Sequence, residues 1–299
     1  MNLTLNKIKP YMMPITMIIG GLFYQFFGRL APVMPYLIFT MLFITFSGLS
    51  LRHIRLSKMH LWLVLIQIVG SVSLYLVLSP FNAVVAQGLM MCVLTPTASS
   101  APVLTGMLGG SVASVSAYSI VCNMSVAITA PILFSHIGQH SDLAFWQSFF
   151  VILERMIVLM VLPFVVAQII RHFLPKISRT IVSNAILSFY LWIFALAIAA
   201  GRTLDFVMAQ SAENHNVEIV IAAGALLICV SQFLMGRKIG RKYDDTVAGG
   251  QGLGQKNTIL GIWMCQTYLN PIAAIGPGAY ILWQNIVNSY QVWRNRKNL

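Results

Sequence analysis

Residues 249–258 read Gly-Gly-Gln-Gly-Leu-Gly-Gln-Lys-Asn-Thr and lie between apolar segments of a strongly apolar chain. The stretch holds four glycines, two glutamines, an asparagine and the only lysine far from a cationic loop. In lipid an unsatisfied backbone group costs several kcal/mol, so irregular backbone at membrane depth persists only where protein or a water-filled cavity covers it. A second polar break, Thr95-Pro96-Thr97-Ala98-Ser99-Ser100, falls in the other half of the chain. Paired interruptions in two halves are the strongest sequence pointer to a binding site near the membrane midplane.

The composition sets the class. Hydrophobic residues make up 58% of the 299 and charged residues 9%, against about 25% charged in a soluble domain. This is the signature of an all-α polytopic membrane protein. The net charge of +12 fits the Lys and Arg that collect on cytoplasmic loops, and no nucleic-acid partner is implied. Cys92, Cys122, Cys229 and Cys265 all fall in apolar segments without metal-ligand spacing. They read as small packing residues. The start, with Lys7 and Lys9 before an apolar run, imitates a signal peptide. No small-x-small cleavage site follows, so an uncleaved first helix is expected.

A spanning helix needs about 20 mostly apolar residues. Ten candidates meet the rule, at roughly 11–28, 32–50, 59–79, 82–107, 111–135, 146–170, 180–200, 217–236, 245–267 and 270–292. The fourth and ninth are the broken ones. Fifteen of the nineteen basic residues fall on alternate connections, on segments that include Lys7 and Lys9, Arg52, Arg55 and Lys58, and Arg237, Lys238, Arg241 and Lys242. Only Arg29 and Arg202 fall on the opposite side, while Arg155 and Lys256 lie within spans. Both termini are therefore expected in the cytoplasm. Ten spans divide as five plus five. An odd number per half forces the second half to enter from the other side, an inverted repeat of 1–140 and 141–299. The connections 136–145 and 201–216 are polar and too short for a soluble domain.

The residues available for chemistry are polar rather than ionised. Pro96 removes a helical donor, leaving carbonyls and the hydroxyls of Thr95, Thr97, Ser99 and Ser100 for a cation or polar ligand. Gln67, in the third span, is either a ligand or a hydrogen-bonded link between helices. Ser116, Ser119 and Asn123 share one face of the fifth span. Gln284, Asn285 and Asn288 lie in the tenth. Glu154 and Arg155 are neighbours and do not face each other on a helix. Asp244 and Asp245 stand where acids suit a helix N-terminus. His53, His60, His136, His140, His172 and His215 sit at loops or span edges. No serine–histidine–acid set, phosphate loop or zinc motif occurs, so an enzyme is not expected.

At its two breaks the chain resembles the bile acid:sodium symporter family. Pro96-Thr97-Ala98-Ser99-Ser100 is a shortened, altered match to the family's first crossing, and Gly109-Gly110-Ser111-Val112-Ala113 through Ala130-Pro131 continues it. Gln251-Gly252-Leu253-Gly254-Gln255-Lys256 takes the place of the second crossing. Pro277-Gly278-Ala279 and Trp283-Gln284-Asn285 look like the final helix. The resemblance implies a ten-helix bacterial inner-membrane carrier with crossed helices four and nine. Spans 1, 2, 6 and 7 would form a panel, and spans 3–5 and 8–10 a core.

Carried over residue by residue, the resemblance implies one sodium near Ser99, Ser100, Ser119 and Gln251, and another near Gln67 and Gln255. A second helix-five hydroxyl falls on Val115. The family's glutamate falls on Gln251 and the asparagine after its glutamine falls on Lys256. These departures weigh against sodium coupling.

The expected function is secondary active transport of a small organic anion, bile-acid-like or another carboxylate, by alternating access. No cofactor is expected beyond Na+ or H+ as coupling ion. A sodium-independent, proton-coupled carrier or facilitator is the alternative, and a channel a more remote one, since no ring of charge or carbonyl filter is visible. The expected binding set is Gln67, Thr97, Ser99, Ser100, Ser119, Asn123, Gln251, Gln255, Lys256, Asn257 and Asn285. Lys256 is expected to replace bound sodium: with neutral Gln251 it gives the same net +1 as two sodium ions and a glutamate. Snorkelling of its ammonium to water is the competing structural role.

Overall fold

The computed structural model describes residues 12, 15–49, 56–138, 144–184, 186–208 and 215–297. Lys7, Lys9, Arg52, His53, Arg55 and His140 lie outside the described residues. Apolar composition and scarce ionised side chains make helix the only economical backbone here, since every amide is then paired within its own segment. The helices are α1 (Tyr24–Arg29), preceded by a helical stretch 15–22, α2 (Met34–Ser47), α3 (Lys58–Leu78), α4 (Ala83–Leu94), α5 (Ala101–Met107), α6 (Val112–Ile137) and α7 (Phe145–Met156). There follow α8 (Leu162–Phe173), α9 (Pro175–Ser183), α10 (Ile186–Met208), α11 (His215–Arg241), α12 (Thr246–Gly254), α13 (Thr258–Tyr268) and α14 (Ile275–Lys297). A π-helical turn, Ile157–Val161, joins α7 to α8.

Five helical runs among the described residues are long and apolar enough to cross a membrane: Lys58–Leu78, Val112–Ile137, Phe145–Phe173, Leu187–Asp205 and Asn216–Arg241. The helix α14 is 23 residues long but does not join this set, because Gln284, Asn285, Asn288, Gln291 and Arg294 dilute its apolar content. The expected polar connection 201–216 is corrected: α10 runs to Met208 before the next described helix begins at His215.

The chain divides into two compact units. The smaller comprises 1–48 and 162–214, with α1, α2, α8, α9 and α10. Within it Gly20 and Gly201 admit close helix contact: a Cβ on Gly20 would lie 2.5 Å from the Ala197 carbonyl oxygen, and one on Gly201 2.7 Å from the Phe27 Cβ. Gln168 donates to the Phe46 carbonyl at 3.3 Å, closing off the end of α2.

The larger unit comprises 49–161 and 215–299 and carries both breaks. Its helix starts are locally specified. Asn82 accepts from Val84 and Val85 N–H at the start of α4, Ser111 from Ser114 N–H before α6, and Asn270 from Ile272 N–H. Such caps are worth ~1 kcal/mol each. The start of α3 is a box in which His60 Nδ1 accepts from Ser57 N–H at 3.1 Å. His60 lies at the edge of its span as expected and is buried there, with Nε2 3.0 Å from Ser114 Oγ. Asp245 precedes α12 but makes no side-chain cap bond, and Asp244 takes the left-handed conformation at φ 56°. Asp245 thus stands at the N-cap position, where an acid meets the positive end of the helix as expected, without a cap bond, and Asp244 makes the tight turn between α11 and α12.

That turn folds α11 and α12 into the most intimate pairing of the unit. A Cβ on Gly236 would sit 2.2 Å from Gly249 O, one on Gly249 2.4 Å from Gly236 O, and one on Gly240 2.4 Å from Asp245 O. Small residues let backbones close without lipid-excluding side chains between them. The glycines of 249–254 are thus helical and packed. Gly252 lies against the Tyr118 ring and Gly254 against the Phe233 ring. The irregular backbone is confined to Gln255–Asn257.

Candidate functional site

The two breaks meet within the larger unit. Thr95–Ser100 separates α4 from α5, and Gln255–Asn257 separates α12 from α13. Thr97 and Lys256 pair as an isolated antiparallel bridge. Ala98 N–H donates to Gln255 O at 2.9 Å and Asn257 N–H to Pro96 O at 2.7 Å. Two interrupted helices so satisfy each other's irregular backbone, which burial requires.

Each half-helix ends with carbonyls that have no partner in the helix. All four at the end of α4 are accounted for. Met91 O accepts from Thr95, Cys92 O from Gln232 Nε2 at 3.0 Å, Val93 O from Lys256 Nζ at 2.8 Å, and Leu94 O from Gln67 Nε2 at 2.7 Å. Gln67 also donates to Thr95 O at 3.1 Å. At the end of α12, Gly252 O accepts from Thr97 Oγ1 and Gly254 O from Tyr280 Oη, both at 2.8 Å. The α4 C-terminus carries the negative end of its dipole, where a cation is stabilised, and Lys256 supplies it.

Lys256 is 1% exposed. Its backbone N–H donates to Gln284 Oε1 at 2.9 Å. The ammonium turns inward to α4, so the snorkelling role is not the one it takes. All four cysteines are buried and free, as packing residues should be.

The rest of the expected set divides. Gln67 Oε1 accepts from Tyr118 Oη at 2.8 Å and from Cys122 Sγ at 3.0 Å, so both ends of this amide are engaged. Gln255 Nε2 donates to Ser100 Oγ at 3.0 Å, and its Oε1 accepts from Asn288 Nδ2. Gln251 Nε2 donates to Asn288 Oδ1 at 2.9 Å. Thr97, Gln251 and Gln255 are buried, Ser99 and Asn257 are half-buried, and Ser100 is exposed. Ser119 is buried on α6.

Three of the expected side chains make bonds within their own segment. Asn123 donates to Ser119 O of its own helix at 2.7 Å. Asn285 donates to Ile281 O at 2.6 Å. Asn257 receives Leu260 N–H at 3.4 Å, capping α13. The buried amide oxygens Asn123 Oδ1, Gln232 Oε1 and Gln251 Oε1 have no hydrogen-bond partner among the described residues.

Sequence reasoning missed Gln232, Tyr118, Tyr280 and Gln291. Gln232 and Tyr280 are bonded at 3.1 Å and stand at the break as Gln67 and Tyr118 do, roughly 160 residues further along the chain. A buried glutamine at matching depth in the eighth span was the signal. Gln291 Oε1 accepts from Gln251 Nε2 at 3.4 Å.

The donor set tests the expected sodium near Gln67 and Gln255. Gln67 Oε1 and Gln255 Oε1 already accept hydrogen bonds and Lys256 Nζ holds the Val93 carbonyl at the end of α4, so a sodium there would compete with these partners. Among the described residues no group of three or more His, Cys, Asp or Glu could hold a metal. The chain matches no protein-family model, and no curated protein matches it.

Proposed function

We propose that the chain is a secondary transporter of a small organic anion, working by alternating access in a lipid bilayer, in which the Lys256 ammonium stands where a coupling cation would bind. The observation that carries the reading is the buried bond from Lys256 Nζ to Val93 O, at the point where two interrupted helices cross. A charge at membrane depth is expensive, and proteins retain one where it serves a ligand or ion path. No Asp or Glu lies in either break, so the site carries net positive charge and attracts an anion. The N-terminal end of α13, which begins at Thr258 directly after the second break, turns the positive end of its dipole toward the crossing.

The ten-span topology, the inverted repeat and membership of the bile acid:sodium symporter family belong to this proposal. Supporting the repeat are the paired Gln67–Tyr118 and Gln232–Tyr280 contacts, one pair in each half of the chain. Supporting a moving-unit mechanism is the division into two compact units, with both breaks inside one of them. Coupling to protons, or facilitated passage without coupling, follows from a site already holding its own cation.

A counterflow screen with radiolabelled carboxylates in proteoliposomes tests the reading. Saturable uptake accelerated by the same anion inside supports a carrier. Unitary currents, or uptake linear in concentration, would remove it in favour of a channel.

A further inference from the structure

The larger unit contains a second feature outside the crossing. A cleft of about 700 Å³ opens between α11, α12 and α14, with Arg237, Arg241 and Arg294 in its lining. No acidic residue is among the described residues that line it. Leu234, one turn before Arg237 on α11, and Ile286 and Tyr290, two turns and one turn before Arg294 on α14, continue the lining as an apolar track and are 62%, 59% and 56% exposed. Arg237 is half-buried and held in place: its guanidinium donates to Gln291 Oε1 at 3.3 Å. Three guanidinium groups without a counter-charge repel one another, and an anion between them relieves this. Guanidinium also matches the oxygens of a phosphate in a two-pronged bond.

We propose that this cleft binds an anionic phospholipid, its phosphate held by Arg237, Arg241 and Arg294 and an acyl chain laid along Leu234, Ile286 and Tyr290. Charge and shape together choose this occupant. A free soluble anion would leave the exposed apolar track unused. A zwitterionic lipid brings its own ammonium to the arginines. Arg237 and Arg241 belong to the cationic segment Arg237–Lys242 and Arg294 to the segment Arg294–Lys297, clusters of the kind that recognise acidic headgroups beside a spanning helix. Trp293, one turn from Tyr290 and 53% exposed, has the character of a side chain at the membrane–water boundary.

The test uses the full chain in phosphatidylcholine vesicles carrying either brominated phosphatidylglycerol or brominated phosphatidylcholine. Quenching of Trp293 is read as the difference between the parent and W293F. Phosphatidylglycerol should quench with an apparent affinity at least about fivefold higher, the equivalent of one arginine near an anionic surface at ~1 kcal/mol. The variant R237Q/R241Q/R294Q should bring the ratio to about one, while R237K/R241K/R294K keeps most of it. Should the first variant fail to fold, R241Q/R294Q, which alters two exposed side chains, should still lower the ratio. Equal quenching by the two lipids, or a preference that survives loss of the arginines, would overturn the proposal. Full displacement by millimolar glycerol phosphate would also overturn it, assigning the cleft to a soluble anion.

Discussion

Replacing Lys256 with methionine separates charge from packing. Methionine keeps the buried, flexible stem and removes the ammonium and its bond to Val93 O. The stability terms oppose each other. An orphaned buried carbonyl costs about 1–3 kcal/mol, and the lost charge–dipole contact up to ~2 kcal/mol. Relief of an ammonium buried at 1% exposure returns several kcal/mol of desolvation. The net change in thermal stability should therefore be small. The functional term has no such offset. At an effective dielectric of ~20, a unit charge about 8 Å from an anion contributes ~2 kcal/mol, roughly thirtyfold in affinity. K256M should fold, melt in detergent near the parent, and raise the half-saturating anion concentration by about thirtyfold in proteoliposome uptake. Parental uptake kinetics in a folded K256M would refute the assignment of Lys256 to the anion site.

Three further outcomes follow from the same geometry. Q67L leaves Leu94 O, Thr95 O and the Tyr118 hydroxyl without their partner; at ~1–3 kcal/mol per buried group, less what rearrangement recovers, about 2–4 kcal/mol is lost, measured as a lower melting temperature of the purified protein. G236A puts a methyl where 2.2 Å separates it from Gly249 O, so folded yield on size-exclusion should fall sharply. G278A, with nothing within 4 Å, should be neutral or stabilise by about 0.5–1 kcal/mol. Q251E/K256N introduces a carboxylate and removes the ammonium at the crossing; under the proposed function its uptake should become sodium-dependent, and sodium-independent uptake at the parental rate would sink the charge-replacement argument.

Much of the membrane architecture was legible because a 20-residue apolar run admits one economical backbone, and Lys58–Leu78 and Val112–Ile137 show it. The breaks were legible because Pro96 and the Gln255–Asn257 triplet oppose a helix at a depth where nothing else explains them. The glycines were half legible. Gly254 ends the half-helix as a break should, yet Gly249–Gly254 are themselves helical and serve close packing against Gly236, Gly240, Tyr118 and Phe233, a tertiary demand that local composition cannot distinguish from a break. Site contacts were only half legible for a related reason. Asn123 and Asn285 carry the right chemistry at the right depth, but each amide can fold back on its own helix four residues earlier. Gln232 went unread because one glutamine in an apolar span looks like mere glue until its partner carbonyl, Cys92 O, is in view. The inward turn of Lys256 depends on the orphan carbonyls of α4, which exist only once the helix is known to stop at Leu94.

The central claim is that the protein's own ammonium stands in for a transported cation. Its most direct test is the initial rate of anion uptake by the parent protein in proteoliposomes, compared in sodium chloride and in choline chloride at matched ionic strength. The account predicts equal rates within error. Uptake that rises steeply with sodium and vanishes in choline would contradict it.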